Sequence, residues 1–294
     1  MRIGSDEHKQ RFCRQFIASH CRFDPATLDW PDLDDAALQR LRGIPFWQEV
    51  LYTERRAGAI VAAYARTVAD PLVREAVSLQ GFEETRHAEL LRVMIHRYDV
   101  TADEPPLEEP ISSDPRRAFA DFGYGECLDS FLGFGVFRIA RRAGFLPKPL
   151  FEIFDMLLRE ETRHIVFFVN WMAWQLTARG YGARWLRGAN AAWYYGRASG
   201  RLFGTVRRGR SAKGGKDFSA TQAGVFLDGF TFRDFVNECW SEHARRMAEF
   251  DPDLLLPRLL PIVAGVALAS WRLLPTIPTV LGRPRVKRAR CLPR

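Results

Sequence analysis

The sequence is poor in the features that mark a β protein, a disulfide-bonded scaffold or a membrane-spanning chain. Its apolar residues recur at helical rather than alternating spacing, so strand signals are weak. The five cysteines are scattered along 294 residues without a CxxC pair, which favours a reducing compartment. The polar N-terminal sequence predicts no signal peptide. The apolar C-terminal run Leu259–Trp271 is shorter than the roughly 20 residues that span a bilayer. We therefore expect a cytoplasmic protein, at most peripheral to the inner face of a membrane.

Positive charge is concentrated in two short arms. The net charge is +8, yet residues 197–216 carry +7 and residues 283–294 carry +6, which leaves −5 on the rest of the chain. Since basic residues are also mixed with aromatic ones over 183–206, we expect an anionic partner to bind through 183–216 and 283–294. A membrane surface, an acidic acyl carrier protein and a transfer RNA all fit. The alternative is a solvated basic tail, with the apolar segment packed back onto the body.

Long segments with helical periodicity, separated by Pro and Gly clusters, predict an all-α fold. The expected long helices cover about 45–69, 71–99, 116–143 and 148–179, with shorter ones near 6–20 and 34–41 and C-terminal helices near 183–206 and 228–250. We expect a single domain over 1–294. Its bundle would cover about 45–180, and a basic, aromatic extension with an apolar tail would cover about 181–294.

The pentapeptide Glu-Glu-Thr-Arg-His occurs at both 83–87 and 160–164, each time inside a long predicted helix. The apolar seams of the four long helices are interrupted near their middles by Glu54, Glu84, His87, Glu126, Glu161 and His164. Buried carboxylates are costly unless their charge is compensated, and metal ions compensate it directly. Six oxygen and nitrogen ligands with open positions suit iron or manganese better than a closed zinc site. The sequence therefore predicts a two-metal centre in a helical bundle.

This order of residues resembles the ferritin-like di-iron carboxylate superfamily, in which two helices each give a Glu and two others each give Glu-x-x-His. The match covers about 45–180, and the two repeated strings look like those of the oxygenase, hydroxylase and acyl-carrier-protein desaturase branch. The resemblance implies a ferritin-like four-helix bundle with extra N- and C-terminal helices. It also implies two iron ions, with manganese as the alternative, and O2 as co-substrate.

The resemblance further assigns supporting roles around the ligands. It implies that Glu83, Arg86, Glu160 and Arg163 orient the ligands and that Ser130, one turn after Glu126, assists proton delivery. The alternatives are that the two glutamates are exposed acids paired with arginines and that Ser130 bonds to a helical carbonyl. His243 is either an additional ligand or a packing or surface histidine.

By this resemblance the protein is a dinuclear-iron oxygenase that hydroxylates, desaturates or N-oxygenates a hydrophobic or carrier-bound substrate. Electrons would come from a ferredoxin or a reductase, and a homodimer is compatible with the sequence. Glycines among many phenylalanines predict an apolar pocket beside the metals. The alternatives are metal storage or peroxide detoxification, as in ferritins, rubrerythrins and manganese catalases, a tRNA-modifying hydroxylase, or a binding module whose acids are solvated.

Overall fold

The described chain is entirely helical apart from its loops. The structure, a computed structural model, describes residues 1–107, 111–211 and 231–273, and these ranges contain no strand. The helices are α1 (Asp6–Ala18), α2 (Asp35–Arg42), α3 (Trp47–Ala65), α4 (Pro71–Arg97), α5 (Pro115–Arg142), α6 (Lys148–Ala178), α7 (Arg184–Ser211), α8 (Phe232–Met247) and α9 (Leu259–Leu273). The all-α prediction is confirmed, and α3 to α6 begin and end close to their predicted limits.

Local sequence explains where the long helices begin and end. The carboxylates of Asp70 and Asp114 accept hydrogen bonds from backbone N–H groups in the first turns of α4 and α5, and a proline follows each of them. Proline fits the first helical position because its missing N–H would have no partner there. Gly144 and Gly180 follow α5 and α6 with φ of 61° and 82°. Glycine favours this left-handed backbone, so both helices stop there.

Helices α3 to α6 pack against one another around a shared core. A short loop joins α3 to α4, and these two helices pack side by side; α5 contacts both α3 and α6, and α4 contacts α6. Large aromatic side chains fill much of the space between them, among them the fully buried Phe119, Phe134, Phe168 and Trp171. The four helices that carry the repeated Glu and His pattern therefore face one interior.

Helix α1 closes the interior from one side by packing across α4 and α6. Its buried His8 bonds through Nε2 to the amide oxygen of Asn170 on α6, at 3.0 Å. Asn170 also donates to the carbonyl of Leu255 and accepts from its N–H, each at 2.8 or 2.9 Å. This buried amide therefore ties the N-terminal helix, α6 and the segment before α9 together.

The C-terminal helices pack on α5. Helix α7 buries Tyr195 and Ala198 against the core, and its Arg197 and Arg201 form ion pairs with Asp121 on α5. Helix α8 packs on α5, and α9 packs on α8. The first part of one basic arm is thus held on the protein body. Residues 212–216 and 283–294 of the two arms lie outside the described residues.

Candidate metal centre

Six acidic and imidazole side chains from four helices meet in the interior. They are Glu54 on α3, Glu84 and His87 on α4, Glu126 on α5, and Glu161 and His164 on α6. Five of them are buried, and the side chain of Glu54 is 14% exposed. Ligand atoms of both histidines, Glu84 and Glu161 all lie within 4.8 Å of one another. The alternative that these acids form solvated helix faces is therefore wrong.

The Nδ1 atom of His87 faces carboxylates from three helices. It lies 3.0 Å from Glu161 Oε1, 3.5 Å from Glu54 Oε2 and 3.8 Å from Glu84 Oε2. The contact within the Glu-x-x-His pair of α4 is thus the longest of the three. The spacing places Glu84 and His87 on one helical face, but the nearest partner of the histidine comes from α6.

The Nδ1 atom of His164 has the equivalent surroundings. It lies 3.1 Å from Glu84 Oε1, 3.3 Å from Glu126 Oε1 and 3.8 Å from Glu161 Oε2. Glu84 and Glu161 therefore each turn one oxygen toward each histidine, whose ring centroids are 5.5 Å apart. Glu54 and Glu126 complete one half each. The centre has two similar halves that share two carboxylates.

Two further glutamates hold the far side of the imidazoles, and they do so crosswise. Glu160 on α6 accepts a hydrogen bond from His87 Nε2 at 3.0 Å, and Glu83 on α4 accepts one from His164 Nε2 at 2.8 Å. Both carboxylates are buried, so the alternative of exposed helix acids is wrong. Because the carboxylate oxygens accept these bonds, each Nε2 carries a proton, which leaves Nδ1 as the ring atom that can take up a second proton or a cation.

The arginines of the repeated motif neutralise these outer glutamates. Arg86 donates to Glu160 at 2.5 Å, and Arg163 donates to Glu83 at 3.0 Å. Burial alone would raise the pKa of Glu83, but the hydrogen bond from His164 and the charges of His164 and Arg163 hold it well below its ordinary value. Glu83 is therefore an ionised acceptor, and together with Glu160 it fixes the orientation of both rings.

The end of α1 and the residues after it cover the outer glutamates. Arg163 donates to the carbonyl of Phe16 at 2.8 Å, so it also ties down the last turn of α1. His20, which lies just beyond α1, bonds through Nδ1 to Glu83 Oε1 at 2.5 Å. Glu160 has no histidine in the corresponding place within the described chain. His20 stands outside every motif of the sequence, and no pattern in the sequence singled it out.

The inner faces of the histidines fit a metal centre. Nδ1 of His87 and Nδ1 of His164 are buried and make no hydrogen bond. Oε1 of Glu126 is likewise buried and makes no hydrogen bond. Two ligand atoms that each lie about 2.1 Å from one ion and meet at about 90° are about 3.0 Å apart, which matches the shortest separations of 3.0 and 3.1 Å. Lone pairs aimed at carboxylates repel unless a proton or a cation lies between them.

The pKa values of the clustered groups show that the centre carries an excess of negative charge. Burial alone would lower the pKa of His87, but the hydrogen bond to Glu160 and the nearby carboxylates of Glu161 and Glu54 raise it well above its ordinary value. Burial raises the pKa of Glu54 to about 7, despite its contact with His87. The cluster therefore retains protons at neutral pH, and a bound metal would displace them.

Two other polar residues lie next to the ligands. The buried Gln80 sits one turn before Glu84 on α4 and donates to Glu84 at 3.3 Å and to Glu126 at 3.5 Å. The i, i+4 spacing places Gln80 on the same helical face as Glu84, and this spacing could have identified it from the sequence. Ser130 is buried one turn after Glu126, as expected, but it makes no hydrogen bond with the six candidate ligands. Its proposed part in proton delivery stays a prediction.

The glycines of α5 do not all leave space for a substrate, contrary to the expectation from the sequence. A Cβ atom at Gly123 would lie 2.2 Å from the ring of Phe168, and one at Gly135 would lie 2.3 Å from Cys239 Sγ. These two glycines serve the close packing of α5 against α6 and α8. At Gly133 a Cβ would meet nothing within 4 Å, so among the glycines of α5 only this one borders open space.

His243 belongs to a different part of the core. Its ring centroid lies 5.5 Å from that of Phe131 and 6.3 Å from that of Phe134. Burial lowers its pKa to about 4, although a hydrogen bond to the backbone of Pro257 opposes the shift. The nearby Glu242 pairs with arginines. The packing interpretation therefore holds for His243.

Comparison of the chain with known proteins identifies no relative. No family model, no curated protein and no solved structure matches the chain. The resemblance to ferritin-like di-iron proteins therefore rests on the ligand pattern and stays a prediction. The described residues form an all-helical protein with a buried group of glutamates and histidines that could hold a metal ion.

Proposed function

We propose that the protein is a dinuclear-iron oxygenase of the ferritin-like type. The observation that carries the proposal is the pair of buried Nδ1 atoms on His87 and His164, which point without hydrogen-bond partners at shared carboxylates. In this proposal α3 to α6 are the four-helix bundle of that superfamily. The other helices surround it.

The geometry supports a division of labour among the six ligands. His87 and Glu54 would hold one ion, and His164 and Glu126 would hold the other, since each pair lies within 3.5 Å. Glu84 and Glu161 would help to hold both ions, because each offers one oxygen to each half. Iron bound there supplies the electron transfer to dioxygen that oxidises an organic substrate.

The surrounding residues of the chain keep the centre dry and correctly oriented. Glu160 and Glu83 hold the two imidazoles through Nε2, and Arg86 and Arg163 balance the charge of these glutamates. The aromatic core excludes water from the same interior. These features favour oxidation of a substrate over iron storage, which needs a hydrated acidic path for ions. The substrate would be hydrophobic or bound to a carrier, and a ferredoxin or a reductase would donate electrons.

The test is a single-turnover experiment. The iron-loaded protein is reduced without oxygen, exposed to O2 together with candidate lipids or acyl carriers, and the products are examined by mass spectrometry. Hydroxylation adds the mass of one oxygen atom, whereas desaturation removes the mass of two hydrogens. Glu161→Ala should abolish either product. Glu152→Ala, at a largely exposed position on the same helix, should retain it.

The rival function predicts a different outcome. A storage protein would take up many iron ions per chain in air and oxidise no organic substrate. Uptake that stops at about two ions per chain supports the oxygenase. Continued uptake, with no change in the mass of any substrate, would favour storage.

A further inference from the structure

Helix α9 is apolar on two opposite faces. On one face Ala264 is buried and Leu260 packs against the small core that α5 and α8 form around Phe131 and Cys239. The other face points outward, with Ile262 57% exposed, Val263 59% and Val266 62%. A helix that is apolar all round is normally covered on all sides. Here the described chain covers only one side.

The exposed face continues onto α8 and forms a concave surface. Trp240 of α8 is 42% exposed, and its indole Nε1 would lie 3.5 Å from a Cβ placed on Gly265 of α9. Together with Ile262 and Val266 it lines an open concavity of about 460 Å³, and the cation Arg258 is among the other lining residues. An exposed, contiguous apolar surface of this kind marks an interaction site.

The charge of the surrounding sequence limits what can bind there. From residue 254 to residue 294 there is no Asp or Glu, whereas eight Arg and Lys residues occur: Arg258, Arg272, Arg283, Arg285, Lys287, Arg288, Arg290 and Arg294. A second copy of the chain would bring an equally basic segment against the first. An anionic surface would instead be attracted, because cations close to an acidic lipid headgroup add to the binding of an apolar face.

We propose that the outer face of α9, with Trp240 of α8, docks the protein onto an anionic lipid membrane. The helix would lie in the plane of the interface, with Ile262 and Val266 among the acyl chains and Arg258 at headgroup level. Spanning is not required: within the described ranges no helix is both long and apolar enough to cross a bilayer. The inference does not depend on the metal centre.

The test measures co-sedimentation of the full-length chain with vesicles. Vesicles of phosphatidylcholine with about one third phosphatidylglycerol should bind the protein at low salt. Pure phosphatidylcholine should bind it at least tenfold more weakly, and added salt should weaken the binding to anionic vesicles. The double variant I262E/V266E should lose binding by at least tenfold. I262L/V266L should retain it, which shows that apolar character is what matters, and an unchanged urea midpoint of I262E/V266E excludes misfolding.

A matched variant distinguishes this surface from the aromatic and basic face of α7. Trp185 and Trp193 of α7 are 73% and 52% exposed, and W185E/W193E should leave vesicle binding within about twofold of the wild type. The proposal is overturned if W185E/W193E removes binding while I262E/V266E keeps it. It is also overturned if I262E/V266E converts a dimer to a monomer in sedimentation while neither protein binds vesicles, because the face then covers a second copy.

Discussion

Glu83 on α4 and His164 on α6 are joined by a hydrogen bond of 2.8 Å, although 81 residues separate them. The reverse pair, His87 on α4 and Glu160 on α6, is joined at 3.0 Å. Each copy of the repeated pentapeptide therefore orients the histidine of the other copy. The two copies work as one unit, and the loss of either outer glutamate should affect a ligand on the opposite helix.

Replacement of an outer glutamate by its amide should weaken metal binding. In Glu83→Gln or Glu160→Gln the neutral side chain cannot balance the neighbouring arginine, and it polarises the histidine Nε2–H less strongly. We expect metal affinity to fall by about 10- to 100-fold, the usual cost of removing such a partner. Competition with a chromophoric chelator measures the affinity.

The control for this pair is Glu152→Gln. Glu152 lies on α6, is largely exposed and pairs only with Lys148 within the described chain. The Glu152→Gln variant should leave metal affinity unchanged. Outer-glutamate variants that bind metal as tightly as this control would refute the role given to Glu83 and Glu160.

Gly135 should tolerate no larger residue, unlike its neighbour Gly133. In Gly135→Ala the new Cβ would lie 2.3 Å from Cys239 Sγ and 3.0 Å from the backbone N of Cys239, so α5 and α8 must move apart. We expect a loss of about 1–3 kcal/mol in the free energy of unfolding. Gly133→Ala meets no atom within 4 Å and should gain up to about 1 kcal/mol from helix propensity.

Urea unfolding of the two alanine variants gives a direct comparison within one helix. A shift of both midpoints in the same direction, by similar amounts, would show that α5 and α8 do not approach each other closely at Gly135.

His243 should make the protein less stable in mild acid. Its pKa is about 4 in the folded protein against an ordinary 6.5, so between these values the unfolded chain binds a proton that the folded chain does not. The stabilising contribution is complete above pH 6.5 and is lost as the pH falls toward 4, by up to about 3 kcal/mol. Urea unfolding of the metal-free protein at several pH values measures this slope.

In His243→Gln the loss of unfolding free energy between pH 6.5 and pH 4 should be smaller by the contribution of His243, up to about 3 kcal/mol. His96→Gln, at an exposed position on α4, should leave the slope as it is in the wild type. Equal slopes for His243→Gln and the wild type would show that His243 is not held neutral in the core.

The order of the ligands and the helix limits follow from local patterns, which is why the sequence predicts them. Asp70-Pro71 marks the start of α4, and the Glu-x-x-His spacing places Glu84 and His87 on one face. The crossed pairing of Glu83 with His164 depends on the relative position of α4 and α6. Sequence patterns within a single helix do not predict that position. His20 and the filled space at Gly135 depend in the same way on packing between distant segments.

The most direct test of the di-metal account is the metal content of protein purified from iron-supplemented cells. We predict about two iron or manganese ions per chain in the wild type and in Glu152→Ala. Glu84→Ala and Glu161→Ala should each hold less than about one, since each removes a shared carboxylate. Less than about one ion per chain in the wild type, with the stability of Glu84→Ala and Glu161→Ala unchanged, would contradict the account.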